Sequence, residues 1–445
     1  MLTGLGMGDL FVGLAWLVCL AACVLWVPAL VLLVEVIAAR RRASGPGGWE
    51  QQGGSVPPQA GALAPAGAAG PGVALMARPA LAVLMPAHNE AAGITATVAN
   101  VRGQLLAGDR LLVVADNCSD DTAALARAAG AEVIERHDTQ RRGKGFALDF
   151  GVRHLEASSA GSPPPVVIVV DADCRLAPSA LERLAVAAGA TGRPAQARYL
   201  MHHGDEEVAV GGRIAEFAWR VKNWVRPQGL AALGLPCPLF GTGMAFPWSV
   251  IREAALANGN IVEDMMLAVE LTAAGRAPLF VVAAQVDSRF PTSQAGQDGQ
   301  RRRWEHGHLQ IITQEVPRLV RRGLLSRDRD ALALALDLAV PPLALLVLLT
   351  AAVGMASLLT WALALWVAPA AVVPAGLALC VSVAGGLAVV GAVLLAWLGF
   401  ATDVLPAAML AAAPSYAWRK LSVYTGFVKA RETAWVRARR ENEAD

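Results

Sequence analysis

Residues 166–173 read Val-Val-Ile-Val-Val-Asp-Ala-Asp. Val166–Val170 is a short apolar run of the length a buried strand needs. It stops on Asp171 and Asp173. In an extended segment, residues two apart point the same way, so both carboxylates can face one divalent cation. Hard ions such as Mg²⁺ or Mn²⁺ prefer oxygen ligands and often take few from the protein, leaving phosphates to complete the shell. A turn with an Asx cap is the plainer reading of an isolated Asp-x-Asp. Its position after a strongly apolar strand makes the metal reading more specific.

Two runs of the same kind lie upstream, Leu81–Met85 and Arg110–Ala115. Helical patterns follow around 90–106, 120–130, 144–158 and 178–190. This alternation predicts an α/β, Rossmann-like domain from about Ala80 to Ala295, with a mostly parallel sheet and helices on both faces. Ligands of such sheets bind at the carboxyl ends of the strands, so the polar residues just beyond each strand are the candidates.

After the first strand come Pro86, Ala87, His88, Asn89 and Glu90. A turn with Asn89 as helix cap and Glu90 in the first helical turn accounts for them, and a ligand site does so equally. After the second strand come Asp116, Asn117, Cys118, Ser119, Asp120 and Asp121. Ser119 or Asp120 can cap the next helix, but a cap needs one acceptor and three carboxylates crowd this strand end. Their mutual repulsion points to a purpose such as binding donors on a base or ribose.

Further on, Glu263 and Asp264 open a helical run. An acidic first turn offsetting the helix dipole explains one of them. The functional reading makes Asp264 a general base for an acceptor hydroxyl. Gln300-Arg301-Arg302-Arg303-Trp304 reads as a basic interfacial segment leading to Arg318, Arg321 and Arg322, which leaves Gln300 unexplained. Two motifs are discounted. Gly241–Phe246 lacks the last glycine of a dinucleotide fingerprint, and Arg142–Gly145 lacks the Ser/Thr and glycine spacing of a Walker A loop.

The chain surrounding this domain is apolar. Hydrophobic residues make up 55% of the 445 and charged residues 17%, a membrane-protein balance. With 38 basic against 36 acidic residues there is no basic excess for nucleic acid. The six cysteines form no C-x-x-C pair, so neither a zinc site nor a disulfide framework is expected. Leu10 to about Ala39 exceeds the roughly 20 residues that cross a bilayer and reads as a retained anchor. Arg40, Arg41 and Arg42 follow it and by the positive-inside rule lie in the cytoplasm. Ala331–Phe400 reads as a hairpin of spans at about 338–366 and 372–400, for a total of three. Two short spans around Gly354 are the alternative for its first half. Residues 43–78, rich in Gly, Pro and Ala, read as a linker.

The ordered set Pro86–Glu90, Asp116, Asp171/Asp173, Glu263/Asp264 and Gln300/Arg303/Trp304 resembles the family 2 glycosyltransferases with a GT-A fold. More narrowly it is similar to the bacterial cellulose, hyaluronan and poly-N-acetylglucosamine synthase group, over roughly residues 80–330. The resemblance implies that Asp116 contacts the uracil or ribose of a UDP-sugar donor. Pro86, His88, Glu90 and Lys144 would lie about the nucleotide and Asp171 near the diphosphate. Asp173, with Asp171, would hold Mg²⁺ or Mn²⁺. Asp264 would be the catalytic base. Gln300, Arg303 and Trp304 would hold donor diphosphate and acceptor sugar under a gating helix. Gly241, Thr242, Gly243 and Glu263 would line the acceptor site. One base, one metal and a nucleotide leaving group suit a single in-line displacement, giving a β-linked product from an α-linked donor.

The implied organisation is an N-terminal anchor (1–42), a linker (43–79), a cytoplasmic GT-A domain (80–298), interfacial or gating helices (299–330), a transmembrane hairpin (331–401) and a basic cytoplasmic tail (402–445). The expectation is a multi-pass inner-membrane synthase of an exported or membrane-associated polysaccharide, in contact with membrane lipids. The alternative is a transferase adding one sugar to a lipid such as a ceramide or diacylglycerol; an inactive scaffold of an export complex ranks below both. Three spans are few for a channel, so secretion through this chain implies a homo-oligomer or an export partner.

Overall fold

The computed structural model describes residues 7–43, 78–203, 208–257, 262–291 and 294–429. Most of the expected linker, and Arg431, Arg437, Arg439 and Arg440 of the basic tail, lie outside them.

Eight strands form one sheet: β1 (Leu81–Ala87), β2 (Arg110–Asp116), β3 (Glu132–Arg136), β4 (Val166–Val169), β5 (Arg175–Leu176), β6 (Ala195–His202), β7 (Met244–Pro247) and β8 (Leu279–Arg289). Their spatial order is β3-β2-β1-β4-β7-β6-β8-β5. β3, β2, β1 and β4 run parallel. β7 is antiparallel between β4 and β6, β6 pairs parallel with β8, and β5 is antiparallel at the far edge. The chain therefore builds outward from β1 to β3 and then returns to place β4 on the other side of β1. That reversal opens a crevice at the strand ends, where ligands of such sheets sit.

The continuous apolar strands follow from burial on both faces. Leu81, Val83 and Met85 pack into one core with Val113 and Ile168, while Ala82 and Leu84 join Leu112, Val114, Val167 and Val169 in the other.

Among the described residues, three helices are long and apolar enough to cross a membrane: Met7–Ala43, Leu343–Val367 and Val372–Phe400. Leu343–Val367 runs unbroken through Gly354, against two short spans there. The apolar block beginning at Ala331 is not all span, because Arg329–Leu338 is a separate helix set off by Pro341 and Pro342. Ala29, Leu32, Val36 and Ala39 of the first long helix pack against Val389, Ala392 and Ala396 of the third. Small residues let helix backbones approach closely where no water drives association.

Glu35, which interrupts the first apolar run, is buried. Arg226 Nε donates to its Oε2 at 2.8 Å, and Arg226 Nη2 donates to Asp337 Oδ1 at 2.7 Å. Gln228 Nε2 donates to the Ala39 carbonyl at 3.1 Å. Gly229 lies against the Glu35 backbone where any Cβ would collide with its carbonyl. The first long helix, the domain helix Arg226–Ala232 and the helix Arg329–Leu338 are thus tied at one buried point.

Candidate active site

The residues beyond β1, β2 and β4 converge on a cavity of about 290 Å³ at the sheet crevice. Pro86, His88, Glu90, Asp116, Lys144, Asp171, Asp173, Gly241, Glu263, Asp264, Gln300, Arg303 and Trp304 all line it.

Asp116 ends β2 and is buried. Arg136, the last residue of β3, donates to its Oδ1 at 2.7 Å, and His88 Nδ1 meets its backbone carbonyl at 2.6 Å. Of the three acids after β2, Asp116 alone lines the cavity. Asp120 pins loops instead, accepting from the backbone N–H groups of Ala91 and Thr122, each at 3.1 Å. Asn89 is not a helix cap. It sits at φ 54° and its side-chain oxygen accepts from Ser119 N at 2.8 Å, while the helix itself begins at Ile94.

Asp171 and Asp173 do not stand on an extended segment, because the chain turns directly after β4 and Cys174 N donates to the Asp171 carbonyl at 3.1 Å. The turn still brings oxygens of both carboxylates and the Cys174 sulfur within 4.8 Å of one another. The Cys174 sulfur is buried and soft, a poor ligand for a hard ion. Two carboxylates beside an open cavity fit a Mg²⁺ or Mn²⁺ ion that leaves positions for phosphate oxygens.

Lys144 opens the helix Lys144–Ser158. It is ion-paired with Asp171 and donates to the Gly241 carbonyl at 2.8 Å. Gly241 holds φ 86°, and a Cβ there would meet Lys144 Nζ at 3.4 Å and Asp264 Oδ2 at 3.5 Å. Thr242 and Gly243, expected at the acceptor site, are not among the residues lining the cavity. Thr242 is fully buried and its hydroxyl accepts from Asp171 N at 3.1 Å, while Gly243 packs against Val286 and Ala197.

Glu263 and Asp264 begin the helix Glu263–Ala273 at the cavity wall. Burial pushes the Asp171 and Asp264 carboxyls up. Burial, then the Asp264 charge, pushes Glu263 to about 7. Burial works against the charge on Lys144, but Asp171, Glu263 and Asp264 outweigh it and hold the ammonium above its ordinary range. Six carboxylates and three cationic side chains face this space. A cavity of that sign repels a diphosphate until a divalent cation is added.

Five further lining residues escaped the sequence reading: Tyr199, Trp219, Lys222, Asn223 and Phe240. Trp219 lies 4.7 Å from Trp304, centroid to centroid, and donates from Nε1 to the Tyr199 carbonyl at 3.1 Å. Lys222 and Asn223 sit on a π-helical turn, Val221–Val225, a deformation frequent at functional sites. The crowding of two tryptophans with a lysine and an asparagine in residues 219–224 was the available signal.

A family model described as glycosyltransferase like family 2 matches residues 79–307. An uncharacterised glycosyltransferase of Mycobacterium tuberculosis is 39% identical over 98 residues, which cover 22% of this chain and 38% of the relative's length. A mannosyltransferase from Pyrobaculum calidifontis, in complex with GDP-Man and Mn²⁺, is 16% identical with a TM-score of 0.50, over 94% of this chain and all of its own. Glucosyl-3-phosphoglycerate synthase of M. tuberculosis has a TM-score of 0.37 at 23% identity, over 53% of this chain and 80% of its own. The mannosyltransferase likeness is one of fold and agrees with the GT-A arrangement of the sheet. The family model covers just over half of the sequence, and the chain belongs to the glycosyltransferase-like family 2.

Proposed function

We propose that the protein is an inverting, metal-dependent hexosyltransferase that moves a sugar from a nucleotide-sugar donor, by resemblance a UDP-sugar, to an acceptor hydroxyl at the cytoplasmic face of the inner membrane. The observation that carries this reading is the convergence of Asp116, Lys144, Asp171, Asp173, Asp264 and Arg303 on one cavity. The GDP-Man and Mn²⁺ in the mannosyltransferase of like fold support a nucleotide-sugar donor and a divalent ion.

Each residue has a task in this scheme. Asp116, fixed by Arg136, receives donor groups of the base or ribose. A second hollow sharing His88 and Asp116 and bounded by Asn117 and Arg142 leaves room for the nucleoside beside it. Asp171 and Asp173 would hold the ion, whose charge offsets that developing on the leaving diphosphate. Lys144 and Arg303 add fixed positive charge on the same side. Asp264, its carboxyl raised above its ordinary range by burial, accepts the acceptor's proton. Trp219 and Trp304 offer ring faces for the acceptor sugar.

The product favoured by resemblance is a β-linked polysaccharide, with a homo-oligomer or an export partner completing secretion. A second reading, addition of one sugar to a membrane lipid, is favoured by an apolar hollow that shares Trp219, Lys222 and Trp304 with the cavity and is lined by residues of the long helices. The test is full-length protein in nanodiscs with a panel of UDP-sugars and Mg²⁺ or Mn²⁺, following UDP release and product size. Donor-selective UDP release with a β-configured product is expected. Retained α configuration, or no release with any donor, overturns the reading.

A further inference from the structure

The acidic cavity shares a wall with a second hollow. Trp219, Lys222 and Trp304 bound both, and the other walls of the hollow, about 220 Å³ in volume, are largely apolar. Leu32, Leu343, Val347 and Val393 bring all three long helices to that wall. One end therefore lies among the candidate spans and the other at Trp219, Lys222 and Trp304, which also line the acidic cavity. A lipid tail gains little by leaving a bilayer for such a groove. What it gains is a way for its headgroup to reach Asp264 without drawing the tail into water.

The charges along the groove are mostly committed. Arg226 is bound to Glu35 and Asp337, and Lys420 to Glu305. His308, held neutral by burial with its pKa near 3, meets the Leu338 carbonyl at 3.0 Å. Lys222 makes no hydrogen bond or ion pair with the described residues, although it stands where the polar cavity meets the apolar groove. Asp264 acts on it through space without an ion pair, so the burial of the ammonium is only partly offset, and an anionic group seated there relieves the remaining cost.

We infer that the groove holds the hydrocarbon chain of a membrane-lipid acceptor, and that Lys222 binds a phosphate in its headgroup while a headgroup hydroxyl reaches Asp264. This rests on the lipid-acceptor reading above. In the step it serves, the hydroxyl oxygen bonds to the donor's anomeric carbon and the hydroxyl proton passes to Asp264. The bond from that carbon to the phosphate oxygen breaks, and its electron pair leaves on the nucleoside diphosphate.

The test uses the full chain in phosphatidylcholine nanodiscs with UDP-sugars, Mn²⁺ and diazirine-tailed lipids. Phosphatidylglycerol offers phosphate and hydroxyl, ceramide a hydroxyl alone, and glycerol phosphate the head without a tail. Phosphatidylglycerol should be glycosylated at least tenfold better than the other two, and its tail should crosslink within 343–347 and 413–417. Ala344→Trp, which fills the groove, should lower the ratio of lipid transfer to UDP release into water at least tenfold. Lys222→Met should raise KM for phosphatidylglycerol more than it lowers kcat, and Lys222→Arg should restore most of the loss. Ceramide or glycerol phosphate working equally well, or lipid product without crosslinks in either segment, overturns the inference. UDP release with growth of a saccharide polymer and no groove crosslinks overturns it alone and leaves the transferase reading standing. Absence of UDP release with every donor overturns both.

Discussion

Charge is buried at two places in this molecule and handled differently. At the junction with the long helices, one guanidinium, Arg226, binds two carboxylates, Glu35 and Asp337, across three elements. At the sheet crevice, six carboxylates face three cationic side chains, and burial raises Asp171, Glu263 and Asp264 above their ordinary range. The first arrangement puts both carboxylates in direct contact with one guanidinium and ties three elements together. In the second, Glu263 and Asp264 line the cavity with no ion pair among the described residues, a cost that a protein keeps where a ligand or a proton transfer uses it. Buried acid alone therefore does not identify function; acid left without a paired cation at a cavity points to it.

The largest effect should come from Asp264→Asn. A positioned base contributes about 10²–10⁴-fold to such a step, and UDP release under saturating donor should fall by that amount. Its melting temperature should hold or rise, because the variant removes a buried ionisable acid. A stability loss with activity intact would move Asp264 to the structural class.

Arg226→Met should do the reverse. Removing one partner of a buried ion cluster leaves uncompensated charge and costs about 3–5 kcal/mol, read as loss of denaturant resistance in micelles. Replacing Glu35, Arg226 and Asp337 together with apolar residues should recover much of that loss. If the single variant keeps full stability but loses turnover, the cluster belongs to the catalytic machinery and the contrast fails.

Metal sharpens the comparison at a smaller scale. At a concentration 100 times its Kd, an ion that binds only the folded protein stabilises it by about 2.7 kcal/mol. Mn²⁺ with UDP should raise the melting temperature of the wild type by a corresponding amount, and Asp173→Asn should abolish that rise without lowering the metal-free value. An equal rise in both proteins would place the ion elsewhere.

The same distinction explains what could be read from the sequence. β1, β2 and β4 are buried on both faces, so their residues form continuous apolar runs, and the acids that end them stand out. β6 carries Gln196 and Arg198 into the interior, where Gln196 Nε2 donates to the Thr242 carbonyl at 2.9 Å, and β7 spans four residues; neither shows a continuous apolar run. Asp116, Asp171, Asp173 and Asp264 were legible because each is an acid where its local element needs none. Lys222 was not, since a lysine in a helical stretch reads as a solvated face until the π-helical turn is seen to direct it inward. Thr242 and Gly243 show the converse. Beside Gly241 they look like a ligand loop, yet one supports the Asp171 backbone and the other clears space for Val286 and Ala197.

Glu263 tests the contrast most finely, through pH. Its carboxyl sits at about 7 in the folded protein against an ordinary 4.5, raised by burial first and Asp264 second. A raised acid binds its proton more tightly in the folded state, so it favours folding below the ordinary value relative to higher pH. That advantage is lost as pH rises from 4.5 toward about 7, and above that the ionised group carries its full cost. Glu263→Gln removes this dependence. Its melting curve should match the wild type near pH 4.5, separate from it up to about 7, and stay above it by on the order of 1 kcal/mol at pH 8, given partial exposure and the nearby Lys144. Parallel curves across the whole range would mean that Glu263 titrates normally. The unpaired acids of the crevice would then cost the fold nothing, and the physical ground for separating the two clusters would be lost.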